Sequence, residues 1–155
     1  TGDKKTGGYA VPDFRVTDIL SVLPVQHYRS VKVARLTKAP LVIDNILIGG
    51  LSNIRRREVT IYPHSVKGLN ITFEETFAHE VGEFVWAFQI QDTDLESDWG
   101  EIHETEGALS WFGIKSKKED FCESYGSYAY GLFTNQESRI ERLSESRAEF
   151  VADLF

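Results

Sequence analysis

Residues 72–88, TFEETFAHEVGEFVWAF, constrain the fold of this chain more than any other stretch. Thr72 followed by Glu75 is the pattern of a capping box, in which hydroxyl and carboxylate satisfy two of the amides that a helix N-terminus leaves open. Phe73, Phe77, Val81, Phe84, Val85 and Phe88 recur at helical spacing. They predict one helix over 72–88 with an apolar stripe against a core. A different sector carries His79 and Glu83, one turn apart, with Glu80 beside them. An imidazole and a carboxylate in that register can hold one metal ion, and a neighbouring carboxylate can move a proton. The same two residues also read as an exposed i, i+4 pair worth a few tenths of a kcal/mol.

A chain of 155 residues suits one domain, burying roughly two-thirds of its unfolded surface. A formal charge of −7 argues against nucleic acid or an anionic membrane as the main partner. The apolar runs are too short to span a bilayer, and no secretory leader is visible, which predicts a soluble chain without membrane insertion. The single cysteine, Cys122, excludes an internal disulfide and leaves the redox compartment open. The chain begins at Thr1 and has no methionine, which suggests a processed product or a piece of something longer whose targeting signals were removed.

Taken in order, residues 1–10 are Gly- and Lys-rich and read as a flexible leader, followed by one domain over 11–155. A short helix is expected over 13–23, ending before Pro24. Strands are expected at 31–36, where apolar and polar residues alternate, at 40–48 as a more buried run, and at 58–62, closed by Pro63. Arg55, Arg56 and Arg57 read as a solvated hairpin end, or as a substrate- or phosphate-facing patch. Residues 92–98 are acidic and expected at the surface. Helical spacing continues at 99–109, at 119–132 and at 137–155, with 113–118 as a loop. The long helix at 119–132 would bury Phe121, Cys122, Tyr125, Tyr128, Ala129 and Leu132. The last helix would bury Ile140, Leu143, Phe150, Val151 and Leu154. Strands first and helices afterwards predict an α+β fold with a small mixed or mostly antiparallel sheet.

Three segments together resemble a known family: the strand at 59–63, the helix carrying His79-Glu80-Val81-Gly82-Glu83, and Glu119-Asp120-Phe121-Cys122-Glu123 downstream. The set is similar to gluzincin-type metallopeptidase domains of the anthrax-lethal-factor class and the related small phage and bacterial metallopeptidase-like proteins. The resemblance covers roughly residues 30–155. It implies a zincin-like fold, with sheet, active-site helix, glutamate helix and C-terminal helix. Carried over position by position, His79 matches the first zinc ligand, Glu119 the glutamate ligand, and Glu80 the base that activates the metal-bound water. Glu123 matches the supporting acidic residue.

Two positions depart from the family. Glu83 stands where H-E-x-x-H has its second histidine, giving H-E-x-x-E. Phe112 stands where the family's tyrosine would stabilise the oxyanion. A carboxylate can bind zinc at nearly the imidazole distance, so His79, Glu83 and Glu119 form a chemically sound set. The extra negative charge leaves bound water less acidic and favours harder divalent cations. Losing one oxyanion donor costs roughly a hundred- to a thousandfold in turnover. The resemblance therefore implies either a diverged peptidase acting on a peptide or protein substrate, or a catalytically inactive copy. The second would serve as a docking module for a protein partner, as a degenerate copy does in the lethal-factor family, within a toxin or phage protein. His64 and His103 are candidate replacement ligands or ordinary surface groups, and His27 has no company that suggests chemistry. Cys122 reads as a packed core thiol, Tyr125 and Tyr128 as core, and Tyr130 as a surface or cleft residue.

Overall fold

The computed structural model describes residues 16–62 and 72–155. The expected leader at 1–10, the start of the first helix, Pro63 and His64 lie outside the described residues. Two short helices, α1 (Val16–Leu20) and α2 (Val25–Tyr28), lead into strands β1 (Val33–Leu36), β2 (Leu41–Ile43), β3 (Ile46–Ile48), β4 (Gly50–Asn53) and β5 (Glu58–Ile61). The helices α3 (Phe73–Val85), α4 (Asp94–Glu106), α5 (Trp111–Lys115), α6 (Lys117–Thr134), α7 (Arg139–Leu143) and α8 (Glu145–Ala152) follow, so the fold is α+β. Among the described residues no helix is long and apolar enough to cross a membrane.

The larger sheet has the order β1-β5-β4 and is mixed. β4 enters β5 through the tight turn at 54–57, which makes them antiparallel, with Gly50 opposite Ile61 and Asn53 opposite Glu58. Asn53 Oδ1 accepts the Arg56 amide at 2.9 Å and Arg57 takes a left-handed φ of 58°. The three arginines are exposed at this hairpin end. β1 runs parallel to β5, because the whole β2–β3 excursion and β4 lie between them in the chain. Central β5 turns Val59 and Ile61 into the core, whereas β1 is exposed along its length.

The stretch at 40–48 is a hairpin, not one buried strand. Asp44 and Asn45, with φ of 51° and 64°, form its two-residue turn and pair β2 with β3. Both residue types tolerate the left-handed region, and a turn of that hand matches strand twist. Val42 and Ile43 consequently face solvent.

The expected helix at 72–88 ends as an α-helix at Val85 and continues as a π-turn over Trp86–Ile90, closed by Gln91 N donating to Trp86 O at 2.8 Å. The wider turn shifts the helical phase. Trp86 and Ile90 are buried while Phe88, expected in the stripe, is 53% exposed. Thr72 Oγ accepts the Glu75 amide at 3.1 Å as the capping pattern requires. The complete reciprocal box forms instead at Ser138 and Glu141, opening α7.

Residues 113–118 are not a loop. Ser110 Oγ accepts the amides of Phe112 and Gly113, starting α5, and Ser116 both closes α5 and caps α6 at the Glu119 amide. Nor is 137–155 one helix: Ser144 interrupts it by capping Arg147 N, and Leu143 is left exposed before the break. Leu132 of α6 is likewise exposed.

α3 and α6 form the centre of the molecule and cross closely because two glycines remove side chains there. A Cβ on Gly82 would lie 3.3 Å from Cys122 Cα, and one on Gly126 would lie 3.0 Å from Glu75 O and 3.1 Å from His79 N. Phe77, Val81 and Phe84 of α3 share the core with Phe121 and Tyr125 of α6. Trp99 of α4 meets Phe121 edge-on at 5.4 Å, and its indole N–H donates to Lys117 O at 2.8 Å. Asp120 is fully buried, accepting Arg147 Nη2 at 3.0 Å, the Leu109 amide at 2.9 Å, and facing His103 Nδ1 at 3.2 Å. Arg147 also reaches Glu106 at 2.7 Å. Buried charges persist only with such pairing, and this cluster ties the first turn of α6 to α4 and α8.

Candidate functional site

A cleft of about 480 Å³ opens where α3 and α6 cross beneath the strands. Of the residues singled out in the sequence, His79 and Glu80 from α3 and Glu119 and Glu123 from α6 line it together. His79 Nε2 lies 3.6 Å from Glu119 Oε2. This proximity follows from Gly126, which lets the helix backbones approach next to His79.

Glu80 is buried, and two strand residues hold it. The Ser52 hydroxyl lies 2.7 Å from Glu80 Oε2 and 2.8 Å from its backbone oxygen. Gly50 leaves the space the carboxyl occupies, since a Cβ there would fall 2.5 Å from Glu80 Oε1. Burial raises the Glu80 carboxyl above its ordinary range, against the opposing pull of His79 and Ser52. For His79, burial alone would lower the imidazole. The contact with Glu119 and the charges of Glu80, Glu119 and Glu83 outweigh it and raise His79 to about 9. The same contact holds Glu119 below the usual carboxylate range.

Glu83 does not join the cleft. It turns to Lys118, whose Nζ donates to Glu83 Oε2 at 2.8 Å and stands 3.7 Å from Glu119 Oε1. Burial works against the ammonium, but Glu83 and Glu119 prevail and raise it. His79 and Glu83 are thus not an exposed surface pair. His79, Glu83 and Cys122 can each bring one donor atom within 4.8 Å of the others. Cys122 is fully buried, and burial with the nearby carboxylates pushes its thiol well above the ordinary value, so the uncoordinated sulfur stays protonated.

The other candidates have separate roles. His103 pairs with buried Asp120 outside the cleft. His27 is buried beside the Tyr125 hydroxyl at 2.8 Å, and burial lowers its imidazole. Tyr128 packs partly buried on Phe155, and Tyr130 stacks with Phe133. Phe112 does line the cleft, half-exposed next to Trp111, and no tyrosine is among the described residues lining it.

Sequence reasoning missed Ser52, Lys118, Ser110 and Arg139, and assigned Glu75 only to a cap. Glu75, Ser110 and Arg139 line the cleft. Ser110 donates to Glu123 Oε1 at 2.6 Å, which anchors the start of α5 to α6. Burial raises both Glu75 and Glu123. The one sequence signal for Ser110 was its place as an N-cap serine before Trp111. Comparison with models of protein families, with curated proteins and with solved structures finds no match to this chain.

Proposed function

We propose that this chain is a diverged zincin-like metallopeptidase domain that takes a peptide segment into the cleft and hydrolyses it with zinc or another divalent cation. The observation that carries this reading is the 3.6 Å separation of His79 Nε2 and Glu119 Oε2 beside buried Glu80. Two nitrogen or oxygen ligands on tetrahedral zinc lie about 3.4 Å apart, given bonds of about 2.0–2.1 Å. His79 and Glu119 fit that spacing. Glu83 fits as a further ligand once Lys118 is displaced from it, and Cys122 offers a soft alternative donor.

An ion held there would supply Lewis acidity toward a peptide carbonyl. The chain's own residues supply the rest. Leu47 and Ile48, from the β3 end of a two-stranded hairpin, offer a strand margin along which an extended segment can lie. Glu80, made more basic by burial and held by Ser52, accepts a proton from the attacking water. As the water oxygen bonds to the carbonyl carbon and the C–N bond breaks, Glu80 returns that proton to the leaving amine.

A second reading, a non-enzymatic docking module, is favoured by Lys118. Its ammonium already neutralises Glu83 and Glu119 from within the chain, and Phe112 supplies no oxyanion donor.

Elemental analysis after incubation with zinc, combined with a casein digestion assay, separates the two. Near one equivalent of zinc, lost in His79→Ala, with cleavage abolished in Glu80→Gln, is the expected result. Neither zinc nor cleavage in the unaltered chain would rule out the hydrolase and leave the module.

A further inference from the structure

Among the described residues, the cleft holds two buried polar atoms without hydrogen-bond partners: Glu123 Oε2, an acceptor, and Arg139 Nε, a donor. Leaving such groups unmatched is expensive, and native folds contain few of them. Neither placement is incidental. The other oxygen of Glu123 is occupied by Ser110 at 2.6 Å. Arg139 is the first residue of α7, whose start is fixed by the Ser138–Glu141 box and by close packing on Gly131, where a Cβ would lie 2.7 Å from Ser138 Cβ. Arg139 acts electrostatically on both Glu75 and Glu123, so the three side chains share one end of the cleft.

We infer that this end of the cleft is a subsite for an amide group of a bound peptide, with the amide N–H given to Glu123 Oε2 and the amide oxygen accepting Arg139 Nε–H. An amide carries one donor and one acceptor and no charge, which is what the unmatched pair calls for. A carboxylate would answer Arg139 but confront Glu75 and Glu123. An ammonium would answer Glu123 but oppose Arg139, and an aliphatic side chain would leave both atoms unmatched. Trp111 and Phe112 supply an aromatic wall nearby. The inference rests on the reading of the cleft as a peptide groove but not on hydrolysis, so binding alone tests it.

The full chain is titrated with capped tripeptides Leu-Xaa-Leu bearing Gln, Leu, Glu or Lys at the centre. Binding is followed by calorimetry and by fluorescence of Trp111, which is 56% exposed. A side-chain amide in the subsite makes the Gln peptide bind about tenfold tighter than the others. A main-chain amide makes Gln and Leu peptides bind alike. In both cases Arg139→Met weakens binding about tenfold, and Arg139→Lys, which keeps the charge and guards against a folding defect, weakens it as much. The inference is overturned by tightest binding of the Lys peptide, by full affinity in either Arg139 variant, or by no saturable binding of any peptide. Amide-dependent binding in a chain that neither takes up zinc nor cleaves casein keeps this inference and removes only the hydrolase.

Discussion

Lys118 Nζ and Glu83 Oε2 are 2.8 Å apart, and this ion pair spans the crossing of α6 and α3. Its cation competes with any metal for the second position of the H-E-x-x-E motif. Lys118→Met is therefore expected to raise zinc affinity by about tenfold, through removal of a nearby positive charge and release of Glu83. Competition against a chromophoric chelator measures this. Unchanged affinity would show that Glu83 is no ligand.

Gly50→Ala places a methyl group 2.5 Å from Glu80 Oε1 and 2.7 Å from its Cγ, so the buried carboxyl has to move. The expected loss is about 1–3 kcal/mol of stability. If the chain hydrolyses peptides, turnover falls by about a hundredfold. Gly100→Ala in α4, with nothing within 4 Å, is the contrast. It should stabilise by about 0.5–1 kcal/mol. Urea unfolding of both variants decides, and equal effects would refute the close approach at Gly50.

Asp120→Asn removes the charge that faces fully enclosed Arg147. Breaking one partner of a buried pair costs about 3–5 kcal/mol, or about 10 °C in midpoint for a chain of this size. A thermal scan within a degree or two of the unaltered chain would show the cluster to be dispensable.

Burial lowers the His27 imidazole below the ordinary 6.5, and a hydrogen bond with Leu154 opposes this only in part. A folded-state value below the unfolded one means that its contribution is complete above pH 6.5 and is lost as pH falls through the folded value. Below pH 6.5 the urea midpoint of the unaltered chain should fall relative to that of His27→Gln, whatever the raised carboxyls of Glu75, Glu80 and Glu123 add to both. A parallel decline in the variant would assign it to other groups.

The two long helices were legible because each buries apolar residues at helical spacing, as Phe77, Val81, Phe121 and Tyr125 illustrate, although Phe88 and Leu132 of the expected stripes are exposed. What escaped was local punctuation. Asp44-Asn45 and Ser144 each break an expected element through backbone sign or a cap, while Ser116 closes one helix and caps the next inside an expected loop. In the site, His79 and Glu80 could be picked from one helix. The reach of Lys118 to Glu83, and the meeting of Glu75, Glu123 and Arg139, depend on how closely α3 and α6 cross. Gly82 and Gly126 set that distance, and neither glycine announces it in the sequence.

Ser116 belongs to two helices at once, ending α5 and beginning α6. One residue inserted after Asp120, inside the helix that Ser116 starts, would rotate the first turn of α6 by about 100° relative to the rest. Asp120 would swing away from Arg147, Glu119 from His79 and Lys118 from Glu83 in the same movement. The first turn of α6 is therefore closed to insertions and deletions. The exposed turn at Asp44 and Asn45 carries no such linkage and is the place where this chain can change length as it diversifies.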